Sequence, residues 1–154
     1  METVYIETTI VSYLVANPSR DSILAAQQQL TRQWWQEERE QYQCLTSSEV
    51  VREASLGDVE MSRRRMEALS GLTILAVDES ARGLAGGILA ARILPPAAAS
   101  DAIHAVVASQ RRIKILLTWN CRHLANPHIL GKLREYMAGQ GLVLPEICTP
   151  TELV

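Results

Sequence analysis

The sequence predicts an α/β protein, a three-layer α/β/α sandwich whose central parallel sheet has four to five strands. Three observations carry that prediction. Short apolar, β-prone runs alternate along the chain with segments of helical period. The runs themselves, such as Val4-Tyr5-Ile6 and Lys114–Thr118 (KILLT), lack the polar alternation of a half-exposed sheet, so both faces are expected to be buried, as in parallel sheets. No internal repeat, low-complexity tract or linker interrupts the 154 residues, so a single domain over 1–154 is expected.

The elements follow in order. Thr3–Ile6 reads as the first strand. Asp21–Gln41 reads as a long helix with Ile23, Ala26, Leu30 and Trp34 on one stripe. Trp34 and Trp35 cannot both face the core from one helix, which leaves Trp35 for a dimer or partner interface. Tyr42–Leu45 is the second strand. Thr46-Ser47-Ser48-Glu49 has capping-box spacing, pairing Glu49 with Thr46, and opens a helix that ends near Gly57. Asp58–Ser70 is a helix carrying Arg63, Arg64 and Arg65. Leu72–Val77 is the third strand, Glu79–Leu94 a helix, and Pro95-Pro96 a hard break. Ser100–Arg111 is the next helix, with Ile103, Val106 and Val107 on its apolar side. Lys114–Thr118 is the fourth strand, Pro127–Ala138 a helix and Glu146–Cys148 a short final strand.

Bulk composition narrows the function classes. A hydrophobic fraction of 47% with 21% charged residues is ordinary globular usage and excludes disorder. Net charge is −2, so no global positive field marks a nucleic-acid partner, although 13 of the 15 basic residues are Arg, the side chain suited to forked phosphate contacts. Cys44, Cys121 and Cys148 form no CxxC pair, which argues against zinc and redox motifs and for free thiols in a reducing, cytoplasmic setting. No run of 18 apolar residues occurs, so no membrane role is expected.

In open α/β sheets, ligands bind outside the carboxyl ends of the strands. At that rim the predicted elements bring Glu7 after the first strand, Glu49 and Glu53 in the helix after the second, Asp101 opening the helix before the fourth, and Thr118 and Asn120 after the fourth. Each has a plainer reading: Glu7 as a frayed strand end, Glu49 as a cap, Glu53 as a solvated helix face, Asp101 and Asn120 as helix or turn caps. Together they say more. Two carboxylates 4 Å apart repel by roughly 4 kcal/mol at an effective dielectric of 20, so converging acids need protons or a cation. All-oxygen ligands without paired His or Cys select Mg²⁺ or Mn²⁺ over zinc, which is equipment for phosphodiester hydrolysis.

VYIETTIVSYL, LTSSEVVREAS, ASDAIHAVVAS, ILLTWNCRHLAN and the closing ICTPTEL together resemble the PIN-domain family over nearly the whole chain. The resemblance is strongest to the VapC-type toxin ribonucleases of bacterial toxin–antitoxin pairs. It implies a PIN-like parallel α/β/α fold and a Mg²⁺- or Mn²⁺-dependent ribonuclease with an RNA substrate, an antitoxin partner and a homodimeric state. The family's acidic quartet falls on Glu7, Glu53, Asp101 and Asn120, as catalytic residues and metal ligands. Two positions depart from the commonest pattern: Glu7 stands where Asp is usual, and neutral Asn120 stands where the fourth acid is commonly Asp. Those departures motivate an alternative expectation, a weakly active or non-catalytic PIN-like module binding RNA or protein.

Thr8, Thr118, His104 and Arg122 are accessory candidates. His104, one turn after Asp101, is either an outer hydrogen-bond partner of the site or a histidine satisfied within the core. Thr118 either positions water or simply ends a strand. Arg122, beside the proposed site, is the preferred phosphate contact, ahead of the Arg63–Arg65 triplet, which reads better as a solvated helix face.

Overall fold

The computed structural model describes residues 1–154. Five strands, β1 (Thr3–Ile6), β2 (Gln43–Ser47), β3 (Thr73–Leu75), β4 (Ile115–Leu117) and β5 (Glu146–Cys148), form one sheet. Its order is β3-β2-β1-β4-β5, and every pairing is parallel. Strand order therefore reverses between β1 and β4, the place where open sheets carry their ligand crevice. The central strands are apolar because both faces are covered: Val4, Tyr5, Ile6, Leu116 and Leu117 are wholly buried.

Seven α-helices complete the layers: α1 (Thr8–Val15), α2 (Ser22–Gln33), α3 (Ser48–Ala54), α4 (Val59–Leu69), α5 (Glu79–Ala90), α6 (Ala99–Gln110) and α7 (Pro127–Gly139). The chain crosses from β1 through β2 to β3 in one direction and from β3 through β4 to β5 in the other. With the right-handed connections that parallel strands follow, that reversal assigns α1–α4 to one face and α5–α7 to the other. None of the helices is long and apolar enough to cross a membrane.

Several local expectations change. Helix α1 was not expected: no element is read between Ile6 and Asp21, and Thr8, Thr9, Ile10 and Val11 are β-branched residues of modest helix propensity. Glu7 starts it, its carboxylate accepting from the Thr9 amide, and burial of Ile10 and Val11 outweighs the propensity. The long helix Asp21–Gln41 is α2 followed by a π-helical turn (Trp34–Glu38) and a 3₁₀ turn (Arg39–Gln41). Its expected stripe also shifts. Ile23 is 71% exposed, while Gln28, Thr31 and Trp34 are buried; Thr31 accepts from the Trp119 indole N–H at 2.7 Å. Trp35 is half-buried, with the Arg39 guanidinium 4.6 Å from its ring centre.

The helix cap sits one residue later than expected and is a simple serine cap, not a capping box. Ser47 caps α3 through the Val50 amide, whereas the Thr46 hydroxyl donates to the Ile6 carbonyl at 3.0 Å. Glu49 instead accepts from Arg52 at 2.6 Å and from Ser100 at 2.9 Å, tying α3 to the start of α6. Helix α5 stops at Ala90 rather than Leu94, because Arg92 takes a left-handed φ of 58° and the Ile93 amide closes back on the Ile88 carbonyl.

The packing of α5 on α7 depends on one glycine. A Cβ at Gly87 would lie 2.0 Å from the Tyr136 hydroxyl, which donates to the Leu84 carbonyl at 3.1 Å. Gly87→Ala is expected to destabilise the fold by about 1–3 kcal/mol through overpacking. Gly86→Ala meets nothing within 4 Å and is expected to stabilise by about 0.5–1 kcal/mol. Urea melts of the two variants check the pair, and equal effects would contradict this packing.

Candidate active site

The site forms at the reversal point, around the residue that ends β1. Glu7 is 2% exposed, and its carboxylate is held from both sides of the β1–β4 junction. One oxygen accepts from the hydroxyls of Thr9 and Thr118, each at 2.5 Å, and the other accepts the Thr9 amide at 3.2 Å. Thr118 ends β4 beside it, and its own hydroxyl accepts the Asn120 amide at 2.9 Å.

Glu53 comes in from α3. Its Oε1 accepts from the Thr8 hydroxyl at 2.7 Å and pairs with His104 Nε2 at 2.6 Å, while its Oε2 makes no hydrogen bond. His104, on α6, is wholly buried, and its Nδ1 lies 2.7 Å from the Tyr5 hydroxyl. Glu7, Glu53 and His104 each offer one atom such that all three atoms lie within 4.8 Å of one another. Two of the four expected acidic positions thus converge tightly, together with a histidine expected only as an accessory.

Asp101 and Asn120 stand differently. Asp101 sits one helical turn before His104 on α6, and one of its carboxylate oxygens meets His123 Nδ1 at 3.1 Å. Its charge favours protonation of His104, and the Glu53 charge opposes ionisation of Asp101, but Asp101 is not among the groups that converge within 4.8 Å. The Asn120 side-chain oxygen accepts the amides of Arg122 at 3.2 Å and His123 at 2.9 Å. Asn120 therefore builds the turn that carries His123 to Asp101. Arg122 is exposed on that same turn.

Sequence reading missed Tyr5, Thr9 and His123. Tyr5 lies inside the run that reads as core strand, and Thr9 lies in a stretch for which no element is read. His123 follows Asn120 by three residues, the spacing of an Asx-type cap, and that signal could have pointed to it.

The electrostatics follow from burial. Burial pushes the Glu7 carboxyl above its ordinary range, only partly offset by His104 and by its hydroxyl and amide donors. Burial also raises Asp101, against the pull of His104 and His123. Burial would raise Glu53 too, but His104 and Thr8 outweigh it and hold the group below its usual value. For His104, burial opposes protonation, yet the bond to Glu53 and the charges of Glu7, Glu53 and Asp101 lift its pKa.

These shifts give a signed stability prediction for protein kept in chelator. The His104 contribution is full below its ordinary 6.5 and is lost as pH rises through the lifted folded value. The Glu53 contribution is present above 4.5 and is lost as pH falls through its lowered value. Glu7 and Asp101 favour their protonated forms, so their contribution also fades as pH climbs. The melting temperature is expected to fall as pH is raised from about 5.5 to 8. Scanning calorimetry in chelator checks this, and a flat profile would contradict it.

The donor set fits a hard divalent cation. Glu7, Glu53 and Asp101 supply oxygens, Glu53 Oε2 and one Asp101 oxygen are free of hydrogen bonds, and the raised Glu7 marks a buried carboxyl short of positive charge.

No protein-family profile and no curated protein matches the sequence. Solved structures do match. A chain of a DNA-bound VapBC from Salmonella typhimurium superposes with a TM-score of 0.59 at 16% identity, covering 97% of this chain and 99% of that one. A chain of a toxin–antitoxin complex from Klebsiella pneumoniae gives 0.58 at 19% identity, covering 81% and 93%. A chain of FitAcB from Neisseria gonorrhoeae gives 0.58 at 16% identity, covering 96% and 98%. The protein thus has a PIN-like α/β/α fold, shared along nearly its whole length with chains of these assemblies.

Proposed function

We propose that the chain is a divalent-metal-dependent endoribonuclease, the toxin of a toxin–antitoxin pair, acting in the cytoplasm as a single domain over residues 1–154 and as a homodimer. The observation that carries the reading is the convergence of Glu7, Glu53 and His104 within 4.8 Å at the sheet's reversal point, with Asp101 one helical turn before His104 on α6. The names of the matching assemblies support the toxin–antitoxin part.

A bound Mg²⁺ or Mn²⁺ supplies activated water at neutral pH and offsets charge on the phosphodiester oxygens. The protein's own residues do the rest. Glu7, Glu53 and Asp101 hold the ion, with Glu7 fixed by Thr9 and Thr118 and Glu53 by Thr8 and His104. Asn120 contributes from the fourth position by shaping the turn around its own side-chain oxygen. Arg122, exposed on that turn, meets an RNA phosphate. An antitoxin partner would cover the acidic rim with a basic side chain such as Arg.

The test is RNA cleavage in Mn²⁺ or Mg²⁺, with a chelator control and an Asp101→Asn variant. Loss of cleavage in both is expected, and cleavage that persists in either rules the mechanism out. One observation favours a second reading, a weakly active or non-catalytic RNA- or protein-binding module: the Asn120 oxygen is already taken by two amides. Saturable Mn²⁺ binding without RNA cleavage would select it.

A further inference from the structure

A chain of buried side chains runs from the sheet to the rim and ends on Glu53. The Ser47 hydroxyl lies 2.6 Å from the Tyr5 hydroxyl, Tyr5 lies 2.7 Å from His104 Nδ1, and His104 Nε2 lies 2.6 Å from Glu53 Oε1. Ser47, Tyr5 and His104 are each 0% exposed, and they come from the end of β2, from β1 and from α6. We propose that Tyr5 and His104 are a positioning pair for the cation site, locking one oxygen of Glu53 so that the other is presented to the metal, with His104 itself outside the coordination sphere. The proposal rests on the metal-dependent reading above.

The donor arithmetic supports it. An ionised carboxylate only accepts, so the short contact to Glu53 puts a hydrogen on Nε2. A ring nitrogen carrying hydrogen has no lone pair left for a metal. Nδ1 is engaged by Tyr5, so the ring is committed at both ends. The Thr8 hydroxyl donates to the same Oε1 at 2.7 Å, which doubles the lock on that atom and leaves Oε2 without a hydrogen bond.

Outer partners of this kind matter because a carboxylate held in one rotamer loses less freedom on taking a metal. Tyr5 acts at one remove: its hydroxyl fixes the rotation of the imidazole, which in turn fixes Glu53. Neither residue touches substrate in this account, and both work through Glu53.

The test titrates Mn²⁺ by calorimetry into chelator-stripped wild type, Tyr5→Phe, His104→Leu and His104→Gln, with a melting curve for each. Wild type is expected to bind saturably. Tyr5→Phe is expected to bind about three- to tenfold more weakly, the loss of one hydrogen bond. His104→Leu is expected to lose about 10- to 100-fold. His104→Gln, whose amide can donate from near the Nε2 position, is expected to recover affinity to within about threefold of wild type. Electron spin-echo spectra of the Mn²⁺-loaded wild type, labelled with ¹⁵N-histidine, are expected to show no directly bonded nitrogen.

Variants that melt earlier yet bind Mn²⁺ like wild type would overturn the proposal, reducing the pair to core filling. A directly bonded histidine nitrogen would overturn it by making His104 a ligand. Wild type that takes up no Mn²⁺ overturns the metal-dependent reading, and this assignment with it. If His104→Leu does not fold, Tyr5→Phe and His104→Gln decide.

Discussion

Glu7→Gln is expected to make the metal-free protein more stable while removing its activity. Glu7 is buried, carries a carboxyl that burial pushes towards its protonated form, and lacks a full positive partner of its own. Gln keeps an acceptor for the hydroxyls of Thr9 and Thr118 and removes the buried charge. It sacrifices the bond from the Thr9 amide, a capping interaction of about 1 kcal/mol. A net gain of about 1 kcal/mol corresponds to roughly 2–4 °C for a chain of this size. RNA cleavage in Mn²⁺ should fall at least about 100-fold, the upper end of what disturbing a metal site's surroundings costs. Melting curves in chelator and cleavage assays on the same preparation check both halves. A variant that is less stable and equally active would contradict the assignment of Glu7.

Adding Mn²⁺ to the wild type is expected to give the larger thermal effect. At a concentration of 100 times the dissociation constant, binding to the folded state alone contributes about 2.7 kcal/mol. That is roughly 5–10 °C in melting temperature. The shift should be larger at pH 8 than at pH 6, because the ligands must be deprotonated and Glu7 and Asp101 are both held towards their protonated forms. Asp101→Asn should lose most of it. A shift that is independent of pH, or unchanged in the variant, would place the ion elsewhere.

The two predictions share one physical cause, a buried carboxyl whose compensation the fold leaves partly unmet. Natural sites hold such groups at a cost in stability because function requires them. His104 supplies part of the compensation through Glu53, and a hard cation completes it.

How much of this was legible in the sequence differs between elements. The central strands were, because β1 and β4 are buried on both faces and their apolar runs have nothing else to be. The parallel arrangement followed from alternation with helices. Helix α1 was not legible: four β-branched residues after a strand have modest helix propensity, and only the Glu7 cap and the packing of Ile10 and Val11 turn them into helix. The exposed Ile23 and buried Thr31 shift the expected face of α2, since Thr31 is drawn inward by the Trp119 indole rather than by hydrophobicity, while Leu30 and Trp34 of that stripe still face the core.

At the site, Glu7 stood out as an acid closing a buried strand, whereas Glu53 was separated from Glu49 only by the family resemblance; both Glu7 and Glu53 lie in the cluster. The supporting residues were harder. Tyr5 reads as one more core aromatic, because a hydroxyl bonded across 99 residues to His104 leaves no local pattern. His123 reaches Asp101 only through a turn that Asn120 builds with its own side chain. Glu49 had the spacing of a capping partner, but Arg52 one turn on in α3 and Ser100 at the start of α6 hold it instead.

The most direct measurement of the central claim is the anomalous scattering of a crystal grown with Mn²⁺. A peak is expected among the carboxylates of Glu7, Glu53 and Asp101, with His104 still bonded to Glu53. No peak in that space, or one bonded to His104, would contradict it.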